Sequence, residues 1–317
     1  MIRLALIGCG SHSRGNHATP LSRYAHEHPD DVDLVAACDL DIKRAEGFCQ
    51  RFGFKKAYDD MDKMLDNEQI DGCIAVMPIK NTSEVAIKLL SRKMPCVIEK
   101  PMGVSVDQVR HLADVTRTTG TPHMVSVNRR FNPYINKAIE WARGKGPISF
   151  VRGAMVRNRR REPVFIWGTA IHSVDAFRFI GGDVEDFDWR MFDGKGLSAR
   201  WYEITFNFAS GCIGHLDILP TGGVHEESYE LFGEGFRAIV HTEGSKPSSL
   251  QCWYEGQCEL DIVSPESEPY DVMIGPYNEV IEFVKALREK TPLKPSVEDV
   301  LPSLEICSEI ATTLGVL

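Results

Sequence analysis

Three strand-like runs in the first third of the chain end in residues that could bind or react. Gly8-Cys9-Gly10 directly follows Leu4-Ala5-Leu6-Ile7. Two glycines there allow a tight turn and close backbone approach to a pyrophosphate, with Ser11 and His12 beside it, and the N-terminus of the helix that follows offers unpaired N–H groups to an anion. The third glycine of the usual G-x-G-x-x-G falls at Ser13, and Gly15 comes late, so a longer loop is expected over Ser11-His12-Ser13-Arg14. Asp39 closes the run from Asp33 to Cys38. A carboxylate at that strand end grips ribose hydroxyls and repels a 2′-phosphate, which favours NAD over NADP. Lys43 and Arg44 lie close enough to soften the preference, leaving NADP as the alternative, and Asp39 could also serve as a helix N-cap. Glu99-Lys100-Pro101 closes Cys96-Val97-Ile98. Lys100, at a strand end that faces the ligand crevice, is the first candidate for moving a proton on a bound ligand. The competing reading is a surface lysine paired with Glu99.

In the second half, His172 precedes Asp175 by one helical turn, so both can share a helix face. His172 is the second acid–base candidate; Asp175 either orients the imidazole or anchors the helix. Arg157-Asn158-Arg159-Arg160-Arg161 is a dense basic patch. Arg157 and Asn158 are read as substrate contacts, since Arg forks suit a carboxylate or phosphate. A solvated loop or subunit contact is the competing reading. Trp167, Trp201 and Trp253 fit either a core or a sugar-stacking surface.

These residues need elements to position them. Apolar runs at Leu4 to Ile7, Asp33 to Cys38, Asp71 to Met77, Cys96 to Ile98 and His123 to Val127 alternate with helical patterns. Those patterns cover Asp41 to Phe52, Thr82 to Lys93 and Val106 to Thr118. Such alternation predicts βαβ units and a parallel sheet, whose ligand lies at the carboxyl ends of the strands. Beyond residue 124, strands are expected at Phe150 to Val156, Trp201 to Phe208, Cys212 to Leu219, Glu227 to Gly233, Phe236 to Thr242 and Leu250 to Tyr254. Turn signals such as Ala209-Ser210-Gly211 separate several of them. A helix is expected from Trp167 to Ile180.

Together these motifs resemble the glucose–fructose oxidoreductase, inositol dehydrogenase and rhizopine-catabolism (Gfo/Idh/MocA) superfamily. The resemblance rests on the glycine turn, Glu99-Lys100-Pro101, Asn128-Arg129-Arg130-Phe131-Asn132-Pro133, Ile171-His172-Ser173-Val174-Asp175 and the helix–Pro-loop–helix from Tyr277 to Ile306. It implies an α/β Rossmann domain over 1–124 and an α+β domain over 125–317. The latter would carry a large, mostly antiparallel open sheet that commonly joins subunits into a homodimer or homotetramer. It also implies that Lys100 holds the reacting hydroxyl and relays its proton, with His172 as general acid–base. Cofactor contacts are expected from Pro78, Glu99 and Asn128 besides the glycine turn and Asp39. Two departures stand out. Gly168 occupies the place of an aspartate that completes a Lys–Asp–His set in inositol-dehydrogenase-like members, and Thr82 replaces the histidine of P-N-x-x-H.

The expected activity is an NAD(P)-dependent dehydrogenase acting on a sugar, cyclitol or related polyol. An NAD-dependent hydrolase or lyase using transient oxidation, and a non-catalytic cofactor-binding regulator, stay open as alternatives. With 36 Lys and Arg against 45 Asp and Glu, the net charge is −9, which disfavours nucleic-acid or anionic-membrane partners. No apolar run approaches the ~18 residues of a membrane helix. Nine scattered cysteines, none in C-x-x-C, argue against a disulfide framework or structural zinc and for a reducing cytoplasmic setting. No metal site is expected.

Overall fold

The expected apolar runs become β1 (Ile2–Ile7), β2 (Val32–Cys38), β4 (Gly72–Ala75), β5 (Cys96–Glu99) and β6 (His123–Ser126), with a short β3 (Lys56–Tyr58) added at the edge. The computed structural model describes residues 1–315 apart from 195, 243, 245 and 246. All six strands pair in parallel, in the order β3-β2-β1-β4-β5-β6. Residues of β4 and β5 are buried throughout, as a sheet covered on both faces requires. The strand order reverses between β1 and β4, the place where such sheets bind ligands.

The crossovers are α1 (Ser11–Ser13, Arg14–Ala18 and Thr19–Glu27 in succession), α2 (Ile42–Phe52), α3 (Met61–Asn67), α4 (Ile79–Ser91) and α5 (Val106–Thr119). Asp41 caps α2 by accepting from Lys43 N–H, and Ser105 caps α5 by accepting from Gln108 N–H. Both helices stop at glycines in the left-handed conformation, Gly53 and Gly120. The expected longer loop after Gly10 is absent. α1 begins at once, and Arg14–Ala18 forms a π-helical turn inside it.

A second sheet has eight strands: β7 (Phe150–Val156), β8 (Val184–Phe192), β9 (Trp201–Phe208), β10 (Ile213–Leu219), β11 (Glu226–Gly233), β12 (Phe236–Thr242), β13 (Ser249–Tyr254) and β14 (Gln257–Val263). Their order is β14-β13-β12-β11-β7-β10-β9-β8, antiparallel everywhere except between β7 and β10. Buried and half-exposed residues alternate along β9, as one covered face demands. Helices α6 (Pro133–Lys145) and α8 (Ile171–Gly181) pack on the covered face, α6 against β11, β12 and β13 and α8 against β7 and β10. The helix expected over Trp167 to Ile180 is interrupted, with a separate short α7 (Phe165–Gly168) before α8.

Contacts divide the chain into Met1–Val127 with Pro276–Leu304, and Asn128–Gly275 with the chain from Glu305 onwards. The first unit therefore takes in a C-terminal segment that a simple boundary at 124/125 gives to the second. Specific bonds hold it there. Tyr277 donates to Glu27, Arg288 pairs with Asp31 at 2.7 Å, and Val125 N–H donates to the Pro295 carbonyl at 2.8 Å. This segment comprises α9 (Pro276–Glu289) and the start of α10 (Val297–Thr313). Among the described residues, no helix is long and apolar enough to cross a membrane.

Candidate functional site

The first unit gathers its candidates at the carboxyl ends of β1, β2, β4 and β5. At Gly8 the backbone has φ of +91°, and a Cβ there would lie 1.7 Å from the Val76 carbonyl oxygen. Only glycine lets the ends of β1 and β4 approach so closely. Gly10 differs, because a Cβ there would meet no heavy atom within 4 Å. The space above the start of α1 is open, and the first bond of the helix runs only from Arg14 N–H to the Gly10 carbonyl. This cradle fits a pyrophosphate. Ser11 and His12 are exposed at its rim, whereas Ser13, in the third-glycine position, is fully buried.

Asp39 faces the same turn. Its Oδ2 accepts from Cys9 N–H at 2.8 Å and its Oδ1 from Asp41 N–H at 2.9 Å. The half-exposed Arg44 pairs with Oδ1 at 2.9 Å. Asp39 is thus tied to the glycine turn rather than capping α2, a role that Asp41 performs. Leu40 beside it is 94% exposed, an apolar surface at the strand end where a nucleoside would lie. Pro78 sits exposed at the start of α4, and Thr82 is buried in that helix.

Glu99 ends β5 and is buried, while Lys100, half-buried, follows it through a cis peptide to Pro101. Glu99 Oε1 receives hydrogen bonds from His17 Nε2 at 2.7 Å and His12 Nε2 at 3.0 Å. Burial alone would raise its pKa, but the two histidines outweigh burial and hold it well below the usual carboxylate range. On α9, Glu279 is also buried, and its Oε2 meets no hydrogen-bond partner. Its pKa is pushed up to about 8, chiefly by burial, against a Ser126 hydrogen bond and with help from the Glu99 charge. Sequence reasoning missed both His17 and Glu279. His17 stands five residues from His12, a spacing that an α-helix would place on different faces, and Glu279 carries no local motif.

In the second unit, His172 is half-buried on α8. Phe177 seats that helix on the sheet, because Gly153 and Gly214 leave room beneath its ring. Its ring lies 5.6 Å from Phe206 and 6.1 Å from Tyr229. Asp175 is fully buried and receives a two-pronged bond from Arg130, each at 2.8 Å. Its anchoring role is therefore visible, since it ties α8 to the turn Asn128–Phe131. At Gly168 a Cβ would meet nothing within 4 Å, so an aspartate there would have space.

Two expected contacts, Arg157 and Asn128, have partners inside the second unit. Arg157 is buried with Arg129 around the fully buried Glu227, whose pKa they hold well below its usual range despite burial. Removing one member of such a cluster costs ~3–5 kcal/mol, so Arg157 reads as a structural group rather than a substrate contact. Asn128 donates to the Ile274 carbonyl at 3.1 Å and accepts from Arg129 at 2.7 Å, which engages its amide inside this unit. The basic patch does not act together either. Arg160 binds Glu162 and Thr169, Arg161 binds Ser198, and Asn158 and Arg159 are exposed. Trp167 is core, and Trp201 donates to Thr221.

Residues 2–128 match the family described as the oxidoreductase family with an NAD-binding Rossmann fold, Gfo/Idh/MocA. D-apiose dehydrogenase of Paraburkholderia graminis is 29% identical over 57% of this chain and 50% of its own length. The chain thus spans about half of that relative. Inositol 2-dehydrogenase of Rubrobacter xylanophilus is 26% identical over 74% of this chain and 69% of its own length. A Gfo/Idh/MocA family oxidoreductase from Vibrio cholerae, known as a crystal structure, superposes with a TM-score of 0.84 over 99% of this chain and 98% of its own, at 16% identity.

Proposed function

We propose that this chain, whose residues 2–128 match the Gfo/Idh/MocA NAD-binding oxidoreductases, is a member of that family and a dehydrogenase for a secondary alcohol of a sugar, cyclitol or related polyol. The observation that carries the reading is Lys100 at the end of β5, in the sheet whose β1 opens into the Gly8–Gly10 cradle. In this reading Gly10, Ser11 and the His12 backbone hold the pyrophosphate, Asp39 takes the ribose hydroxyls, and Pro78 and Glu99 flank the nicotinamide end. When bound, NAD supplies the acceptor for a hydride. Lys100 holds the alcohol oxygen, and His172 accepts the hydroxyl proton. Asp175 acts as a positioning residue by fixing α8 through Arg130.

The named relatives, an apiose and an inositol dehydrogenase, support a small polyhydroxylated substrate. The open sheet face of the second unit supports a second copy of the chain as its partner, and the unpaired cysteines suit a reducing cytoplasm. The test measures NADH and NADPH formation across a panel of aldoses, inositols and polyols, with wild type and Asp39→Ala. Wild type should favour NAD, and Asp39→Ala should lose much of that preference. Preference for NADP in wild type would remove Asp39 from cofactor selection. Nucleotide binding without net reduction on any substrate would contradict the dehydrogenase reading.

A further inference from the structure

The π-helical turn in α1 has a chemical consequence. His12 and His17 are five residues apart, and at 3.6 residues per α-helical turn they would point well away from each other. The wider turn at Arg14–Ala18 takes up the extra residue and brings the two imidazoles to the same side. Such turns occur disproportionately at functional sites. Their ring centroids lie 6.1 Å apart, and both Nε2 atoms reach Glu99 Oε1. One ligand atom from each of the three residues lies within 4.8 Å of the others, the one such group of His, Cys, Asp or Glu among the described residues.

From this convergence we infer that His12, His17 and Glu99 form a binding site for one divalent transition-metal cation. Two imidazoles and a carboxylate are a known three-ligand set for zinc or ferrous iron, leaving further positions for water or another ligand. The burial pattern suits that arrangement. His17 and Glu99 are fixed inside the unit, while the His12 side chain is half exposed and leaves an entry path. The present N–O separations of 2.7 and 3.0 Å are those of hydrogen bonds. Donors around a tetrahedral zinc with ~2.0–2.1 Å bonds stand roughly 3.3 Å apart, so each N–O separation needs to open by less than ~1 Å. The two imidazole nitrogens, now within 4.8 Å of each other, settle at the same spacing. His12 can provide this movement from the surface. Asn16 Nδ2 stands 3.0 Å from His12 Nδ1 and donates to it, which leaves the proton on Nε2 for Glu99. On loading, that proton gives way to the ion, and a turned Asn16 amide would then accept from Nδ1–H.

The metal site lies beyond the dehydrogenase reading, and its test needs neither dinucleotide nor substrate. Chelator-treated full-length protein is titrated with cobalt(II), followed by visible absorption, and with zinc(II), followed by calorimetry. One equivalent per chain is expected, with cobalt bands indicating low coordination. His12→Ala, at an exposed position, should weaken binding by more than ~100-fold, and Asn16→Ala by a smaller factor within the ~10–100-fold typical of outer-shell partners. Circular dichroism of both variants checks that the fold is kept. Absence of stoichiometric binding by wild type, or equal affinity in a folded His12→Ala, would overturn the site and leave a hydrogen-bonded cluster only.

Discussion

Lys100 is the residue on which the proposed chemistry depends most. It belongs to the strand-end tripeptide that sequence alone singled out, and the fold sets it at the carboxyl end of β5. Lys100→Met removes the ammonium while keeping much of the side-chain length. Turnover should fall by roughly 10²–10⁴, the range for a lost acid–base group, with NAD affinity changed by only a few fold. Single-turnover kinetics beside a dinucleotide titration check this, and unchanged turnover would remove Lys100 from the mechanism. At this scale the strand-end residues were legible because apolar runs followed by Gly, Asp or Glu are a local signal. The partners of Arg157 and Asn128 inside the second unit were not legible, for a physical reason. Their partners, Glu227 and Ile274, lie far away in sequence, and burial in a polar cluster leaves no mark on neighbouring residues.

Among the elements, α9 carries the least expected group. The unfolded chain releases the Glu279 proton near the ordinary value of 4.5, whereas the folded unit keeps it until about 8. Between those values the folded state binds more protons, so this group makes stability fall as pH rises, by on the order of 1.4 kcal/mol per unit. Below that window the contribution is fully present; above about 8 it is lost. Glu279→Gln cannot ionise, so its melting temperature relative to wild type should climb as pH is raised through the window. A difference that stays constant with pH would contradict the assignment. Elements with strong signals were readable, such as α2 with its Asp41 cap and closing Gly53. β3 was not, being three residues long and only partly buried, nor were the edge strands β8 and β14, whose residues are largely exposed or half-exposed. The π turn is invisible in sequence because a single extra residue reads equally well as a longer loop.

At the scale of the whole molecule, the second sheet offers a surface suited to a second copy of the chain. Ile213, Phe150 and Phe232 are register partners across β10, β7 and β11, forming an apolar row on the face opposite the buried residues. Beside it, Arg152 and Arg237 both bind Glu230. Wild type should sediment as an oligomer, and Ile213→Glu should shift it to a smaller species with unchanged circular dichroism. A monomeric wild type would remove this face as a subunit contact. Hydride transfer from a polyol carbon to NAD, on which the proposed function rests, can be followed by isotope. The enzyme is incubated with NAD and a substrate from the panel carrying deuterium on its alcohol carbons, and the cofactor is analysed by mass spectrometry. Reduced cofactor carrying one deuterium is expected, formed in step with oxidised product. Substrate turnover with no deuterium reaching the nicotinamide would contradict it.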